Sequence, residues 1–178
     1  MSSLTFSHID IINTTLVPSS QQPDSSSVTY RTKSIIGFRG RKTTTLSVVD
    51  GESEKVVGGI DWRDKSFVIN GKEWQLSVLK SKPTGLYKTS LRIWDWGGQS
   101  YKIRLGNKQW TATSTTRLTP VVTFNQYQSN IFKANQPASI HFAPGMPEID
   151  KIFFIFVMLY SEIRMQDESA DGHLNPDC

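Results

Sequence analysis

The sequence predicts a mainly β domain whose antiparallel strands form a closed or nearly closed barrel around one buried C-terminal helix. Two observations carry this prediction. From residue 28 to residue 142, apolar or β-branched segments recur at short intervals between turn signals, as in sandwiches and barrels. Near the C-terminus, nine consecutive residues, Ile152 to Tyr160, are apolar or aromatic. A helix without a polar side is normally enclosed by protein, so the strands have to supply the enclosing sheet.

The apolar run predicts a helix that is buried in protein and does not cross a membrane. Charged residues flank the run, with Asp150 and Lys151 before it and Glu162 and Arg164 after it. The run is about half of the roughly 20 residues that a helix needs to cross a bilayer. Pro147 suits the first turn of a helix, and the acids that follow favour a helix N-terminus. The helix is therefore predicted from about residue 147 to about residue 165.

The strands define the domain boundaries. Residues 1–27 are predicted to hold one short edge strand, near 14–17, followed by a loop rich in Ser and Pro. Residues 28–166 form the barrel domain with its helix, and the acidic residues 167–178 form a disordered tail. The predicted strands of the barrel lie near residues 28–36, 43–50, 55–62, 66–70, 73–79, 88–94, 99–105, 108–113, 120–125 and 139–142.

One hairpin is specified locally by its turn. Asn70 and Gly71 accept the positive φ angles of a type I′ turn, so they join a strand ending at Ile69 to a strand beginning at Lys72. In the second strand, alternate residues Trp74, Leu76 and Val78 are predicted to face the core.

Alternation in two later strands places their basic residues outside. Leu91 and Ile93 are predicted to face the core, with Arg92 on the outer face. Tyr101, Ile103 and Leu105 are likewise predicted to point inward. Trp94 and Trp96 share a strand face, and we expect one of them to be exposed at the following glycine turn.

Composition and charge favour a monomeric protein in the cytoplasm, and peripheral association with membranes is the additional location that the basic segment suggests. Cys178 is the single cysteine, which excludes an internal disulfide, and the first residues lack the pattern of a secretory signal. Residues 31–133 carry 18 Lys and Arg against 7 Asp and Glu, whereas residues 134–178 carry 2 against 7. The basic segment favours phosphate-bearing partners, and the alternative is a merely solubilising surface.

No catalytic, metal or cofactor site is predicted. His8, His141 and His173 are widely spaced, so they do not form a metal-ligand motif, and His141 is interpreted as a structural residue of a strand. Neither a Gly-x-Ser-x-Gly elbow nor a phosphate-binding glycine loop is present. The pairs Gly58-Gly59 and Gly97-Gly98 are interpreted as bulges or turns.

The candidate binding surface lies around a glycine-flanked turn near residue 38. Cations surround one aromatic residue there, which suits contact with anionic lipid headgroups while the ring enters the lipid interface. The same residues suit nucleic-acid phosphates, and the plainest alternative is a charged strand edge that prevents unwanted pairing. The predicted lipid- or phosphate-binding residues are Arg31, Lys33, Phe38, Arg39, Arg41 and Lys42.

Several of these segments together resemble a known group of proteins. Asp64, the hairpin segment 70–77, the strand segment 98–103 and the helix start at 149–154 resemble an uncharacterised fungal domain family. That family looks related to the Tubby C-terminal, LURP-one-related and phospholipid scramblase group. The resemblance implies a closed antiparallel β-barrel threaded by a hydrophobic helix, over residues 28–166. Tubby proteins bind phosphoinositide headgroups through Lys and Arg residues, but those residues align with no position of this sequence.

The sequence therefore favours a non-enzymatic binding or scaffold module. The first hypothesis is peripheral association with anionic phospholipid through the basic turn. The second is a protein-interaction module without lipid binding, whose partner recognises a strand edge or the acidic tail. Binding to nucleic-acid phosphates is a further alternative.

Overall fold

A computed structural model describes residues 2–19, 28–38, 40–81, 91–117, 119–129 and 134–172. The described chain contains thirteen strands and two helices. The first seven strands are β1 Ser2–Phe6, β2 Thr15–Pro18, β3 Thr29–Gly37, β4 Gly40–Asp50, β5 Ser53–Asp61, β6 Ser66–Ile69 and β7 Lys72–Gln75. The helix α1 Leu76–Leu79 and the strands β8 Lys80–Ser81, β9 Arg92–Trp96, β10 Gln99–Gly106, β11 Gln109–Ser114, β12 Pro120–Asn125 and β13 Ser139–Phe142 follow, and α2 Glu148–Gly172 ends the described chain.

All thirteen strands belong to one antiparallel sheet. Its order is β7-β6-β5-β4-β3-β2-β1-β13-β12-β11-β10-β9-β8. Two meanders, β1 to β7 and β8 to β13, therefore meet where β1 pairs with β13, with Leu4 opposite Ile140. The prediction of a mainly β fold with one long C-terminal helix is confirmed.

The sheet curls until its two margins face each other. Phe67 of β6 stacks on Trp94 of β9 with ring centroids 5.5 Å apart, and Trp74 of β7 meets Trp96 of β9 at 5.2 Å. Among the described strands, however, β7 and β8 are not hydrogen-bonded to each other. The sheet is open at this seam, so the predicted closed barrel is not confirmed.

Helix α2 lies against the concave face of this sheet. The side chains from Ile152 to Leu159 are all buried. Phe153 stacks on Trp96 with centroids 4.5 Å apart, and Phe156 contacts Phe67 at 5.5 Å. These contacts reach both margins of the sheet, which explains why the helix has no polar side over this stretch. Of the described helices, none has the length and apolar character needed to span a membrane.

Strand β5 approaches α2 closely at a glycine. A Cβ atom on Gly58 would lie 2.3 Å from the carbonyl oxygen of Val68 and 2.9 Å from the ring of Phe156. The register of β4 and β5 also shifts next to this position, between Leu46 and Ser47. The interpretation of the Gly58-Gly59 pair as part of a bulge agrees with this shift, and the absent side chain lets the strand and helix touch.

The predicted turn at Asn70-Gly71 is confirmed. The φ angles of Asn70 and Gly71 are +48° and +78°, and Ile69 pairs with Lys72 across the turn. The second strand ends earlier than predicted, because Leu76–Leu79 forms the single helical turn α1. Leu76 and Leu79 are buried, whereas Val78 is 72% exposed. The prediction of Val78 as a core residue was wrong, because helical spacing buries positions three apart rather than two apart.

The N-terminal strands differ from the sequence prediction in position and number. The strand predicted near residues 14–17 is β2, but it lies inside the sheet between β1 and β3 rather than at an edge. Strand β1 was not predicted, although its apolar residues Leu4 and Phe6 are buried in the core. Five residues with two apolar side chains carry too weak a pattern to specify a strand whose partner, β13, lies at the other end of the sheet-forming sequence.

Helix α2 begins at Glu148, as predicted, and ends at Gly172. The predicted end was near residue 165, so the helix continues into the first part of the predicted acidic tail. Residues 173–178 of that tail lie outside the described residues, as do residues 20–27 of the predicted Ser- and Pro-rich loop.

Candidate functional site

The turn between β3 and β4 projects a cluster of apolar side chains into solvent. We call residues 33–42 the β3–β4 tip. Ile35, Ile36 and Phe38 are 59%, 71% and 104% exposed. The strands pair as far as Gly37 opposite Gly40. The φ angle of Gly40 is +93°, a value that favours glycine. Phe38 thus projects from this turn into solvent.

Exposed lysines accompany the apolar side chains of the tip. Lys33 lies on β3 and Lys42 on β4, and both are exposed. A guanidinium nitrogen of Arg63 lies 3.0 Å from the position that a Cβ on Gly37 would take, so Arg63 adds a cation that the sequence did not indicate. The predicted residue Arg39 lies outside the described residues.

The two other predicted arginines hold acidic partners. Arg31, on the same strand face as Lys33, donates to Glu54 at 2.7 Å. The pKa of Glu54 is lowered by a hydrogen bond from Ser47 and by the nearby charges of Lys33 and Arg31. Arg41 donates to both carboxylate oxygens of Asp167, at 3.0 and 2.9 Å. Of the predicted set, the tip thus presents Lys33, Phe38 and Lys42, while Arg31 and Arg41 are engaged elsewhere.

A cleft of about 660 Å³ opens beside the tip. Gly40 and Arg41 form one wall of this cleft, and the backbone N–H of Trp62, which also lines it, donates to the carbonyl of Lys42 at 3.0 Å. The cleft is lined by charged side chains and aromatic rings. The cations are Arg41, Lys65, Lys80, Arg92 and Arg164, the acids are Asp167 and Glu168, and the aromatic residues are Trp62, Trp94, Trp110 and Tyr160. We call this site the cationic cleft.

Tyr160 of α2 lies among these cations. Lys80 Nζ donates to its hydroxyl oxygen at 3.3 Å and lies 4.7 Å from the ring centroid. The ring of Trp62 stacks on the ring of Tyr160, with centroids 5.6 Å apart. Burial raises the pKa of Tyr160, and the charges of Arg164, Lys65 and others only partly oppose this effect. The hydroxyl is therefore protonated at neutral pH.

The raised pKa of Tyr160 predicts a specific loss of stability in alkali. An unfolded chain ionises tyrosine near pH 10.0, whereas the folded chain holds Tyr160 protonated to higher pH. The stabilising contribution is complete below the unfolded pKa and is lost as pH rises through the folded pKa. We expect Tyr160→Phe to show a smaller fall in melting temperature than the wild type between about pH 9 and pH 11. Equal falls in both proteins would contradict this assignment.

Arg92 corrects the sequence prediction for β9. Arg92, Trp94 and Trp96 occupy alternate positions of the strand, and Trp94 and Trp96 are both buried, at 0% and 8% exposure. Arg92 therefore shares the inward-facing side and lines the cationic cleft, rather than facing outward as predicted. The expectation that one of the two tryptophans is exposed was also wrong. The prediction for β10 holds, since Ile103 is buried and Tyr101 packs on Phe154 at 4.9 Å.

The described residues contain no group of three or more His, Cys, Asp and Glu side chains placed to hold a metal ion. His141 lies in β13, and its Nε2 atom is 3.2 Å from the hydroxyl of Ser139 on the same strand. Ser139 also accepts a hydrogen bond from Asn125. These three side chains line a shallow polar groove on the outer face of the sheet.

Comparisons with known proteins identify a family but no functional relative. Neither the curated proteins nor the solved structures contain a match to this chain. Residues 9–165 match a family of unknown function, DUF6593, and this range includes the β3–β4 tip and most of α2. The chain belongs to the DUF6593 family.

Proposed function

We propose that this protein is a non-enzymatic binding module that associates peripherally with anionic phospholipid surfaces through the β3–β4 tip. The exposure of Phe38 carries the proposal. A fully exposed phenylalanine next to two exposed isoleucines is costly in water, and it is typical of a surface that contacts an apolar phase.

The neighbouring charges support a lipid surface over a protein partner. Lys33 and Lys42 flank the apolar cluster, and basic residues near an anionic membrane surface each contribute about 1 kcal/mol. Their aliphatic stems can lie along the apolar boundary while the ammonium groups stay in water. The cores of protein–protein interfaces are instead depleted in lysine. A narrow convex hairpin with an aromatic end also suits insertion between lipid headgroups.

We further propose that the curled sheet is a Tubby-like barrel. The contacts of Phe67 with Trp94 and of Trp74 with Trp96 support this assignment, because they bring the two margins of the sheet together above α2. The short α1 linking β7 to β8 supports it as well, since one chain segment connects the two edges. An experimental structure with hydrogen bonds across this seam would establish the barrel, and an open seam would reject it.

Vesicle co-sedimentation tests the lipid proposal. We expect the protein to bind vesicles of phosphatidylcholine and phosphatidylserine, but not vesicles of phosphatidylcholine alone. Phe38→Ala is expected to weaken binding by roughly tenfold, because it removes an aromatic side chain from the lipid interface. Lys33→Gln combined with Lys42→Gln is expected to weaken binding by roughly thirtyfold at low salt and by less at physiological salt.

Val78→Ala is the matched control, because Val78 is also an exposed apolar residue but lies on α1. It should bind vesicles as the wild type does. Equal binding by the Phe38→Ala and wild-type proteins would reject the tip as the membrane contact. A protein that ignores vesicles and retains a single stable protein partner would support the interaction-module alternative instead.

A further inference from the structure

The cationic cleft is lined by more cations than acids, and the proposed lipid contact through the β3–β4 tip makes no use of this excess. Five cations and two acids line it among the described residues. The cations come from β4, the turn between β5 and β6, β8, β9 and α2, so five separate parts of the chain bring positive charge to one place. Like charges in a confined space repel one another, and such a cleft concentrates anions from solution.

Two residues that line the same cleft, Tyr160 and Trp94, carry uncharged hydrogen-bond donors. Lys80 donates to the oxygen of Tyr160, which leaves the hydroxyl proton of Tyr160 available for an acceptor. Trp94, which also lines the cleft, is wholly buried, and its Nε1 atom has no hydrogen-bond partner among the described residues. Buried indole N–H groups normally have a partner. The cleft therefore combines positive charge with neutral donors.

We propose that the cationic cleft binds a phosphate group of a larger molecule, and that Asp167 competes with that group for Arg41. A phosphate monoester carries up to two negative charges and three acceptor oxygens, which matches several converging donors better than one carboxylate does. The volume of about 660 Å³ exceeds that of a phosphate group and lies in the range of small-molecule sites.

Asp167 shows how the protein itself presents an anion to this site. Its two carboxylate oxygens accept hydrogen bonds from the same guanidinium nitrogen of Arg41, at 3.0 and 2.9 Å, so the other nitrogens of Arg41 remain as donors that suit a phosphate. The Asp167 side chain is 34% exposed and that of Arg41 is 29% exposed, so the pair lies at the mouth of the cleft. An incoming phosphate would take over Arg41 and release the end of α2.

Calorimetric titration of the full chain with pyrophosphate, in chloride buffer, tests the site. We expect saturable binding with one site. Lys80→Gln and Arg164→Gln are each expected to weaken it by about tenfold, the effect of losing one charge-assisted hydrogen bond. Arg164 is half exposed, so its replacement leaves the fold intact even if the Lys80 variant is destabilised. Lys102→Gln, an exposed position on β10, is the control and should bind as the wild type does.

The competition is tested by Asp167→Asn, which is expected to tighten pyrophosphate binding by about fivefold. General loss of structure would weaken binding, so a gain in affinity is specific to competition. Unchanged binding in Asp167→Asn would overturn the competing role. No binding by the wild type, or equal weakening by Lys102→Gln and Arg164→Gln, would overturn the site.

Vesicles of equal surface charge but different anionic lipid distinguish two sources of the phosphate group. Phosphatidic acid exposes a phosphate monoester, whereas phosphatidylserine does not. A preference for phosphatidic acid that Arg164→Gln abolishes identifies a lipid headgroup as the source. Pyrophosphate binding without that preference identifies a soluble phosphorylated compound, and either result supports the site. The site goes beyond the proposed function, since Phe38→Ala should weaken vesicle binding and keep its affinity for pyrophosphate.

Discussion

Replacing Phe156 with alanine is expected to lower the free energy of unfolding by about 4 kcal/mol. The side chain is fully buried, its ring contacts Phe67 at 5.5 Å, and it lies where Gly58 lets β5 approach α2. The substitution removes apolar surface from the core and leaves a cavity that the surrounding sheet is too constrained to fill. The loss is a large part of the roughly 5–15 kcal/mol that stabilises a typical domain.

Urea denaturation followed by tryptophan fluorescence measures this loss. Ile149→Ala is the control on the same helix, because Ile149 is 42% exposed and its replacement should cost less than about 1 kcal/mol. Similar losses in the two variants would show that α2 is not enclosed by the sheet as described.

Replacing Glu162 with leucine is expected to cost about 3 kcal/mol, although it adds apolar surface to a buried position. The Glu162 side chain is 5% exposed and accepts hydrogen bonds from the side-chain nitrogens of Trp110, Gln126 and Gln166, at 2.8, 2.7 and 2.8 Å. Leucine would leave the Trp110 and Gln126 donors without an acceptor in a region with little water. Unsatisfied buried donors cost more than the hydrogen bond itself contributes.

The comparison with Glu162→Gln separates hydrogen bonding from packing. Glutamine keeps one acceptor oxygen and nearly the same shape, so we expect an intermediate loss of stability in the same denaturation experiment. Glu168→Gln, at an exposed position of α2, serves as the control and should be nearly neutral. A leucine variant as stable as the wild type would show that the three donors find other acceptors.

The Glu162 network also explains how the position of α2 is specified. The hydrophobic effect is non-directional. A helix that is apolar on all sides can therefore slide or rotate in its surroundings at modest cost in free energy. Hydrogen bonds from β11 and from the segment after β12 tie Glu162 to one rotation of the helix. We therefore regard Glu162 as a residue that selects one packing arrangement among several apolar ones.

The β3–β4 tip was predicted only in part. Phe38 and the cations near it were visible because the glycines at 37 and 40 mark a turn. The predicted strand near residues 28–36 includes Ile35 and Ile36, although consecutive apolar residues at the end of a hairpin break the alternation of a half-buried strand. That break was the signal for an exposed apolar cluster.

The cationic cleft was not predicted, because its cations are scattered from residue 41 to residue 164. The spacing of residues along the chain does not predict which side chains come together once the sheet curls. Arg92 illustrates the difficulty. The aliphatic residues Leu91 and Ile93 suggest that their own strand face points to the core. Trp94 and Trp96 on the opposite face are buried instead, because their larger rings bury more area. Arg92 lies on the same strand face as the two tryptophans, so its side chain lines the cleft.

The sequence by itself determined the features that depend on neighbouring residues. These are the enclosed helix, implied by its unbroken apolar run, the turn at Asn70-Gly71, and the succession of antiparallel strands from β3 onward. Only the tertiary structure decided the pairing of β1 with β13, the helical turn α1 between the two sheet margins, and the meeting of Arg41 with Asp167. Local backbone preferences act over a few residues, whereas these contacts join segments more than a hundred residues apart or depend on how the whole sheet curls around α2.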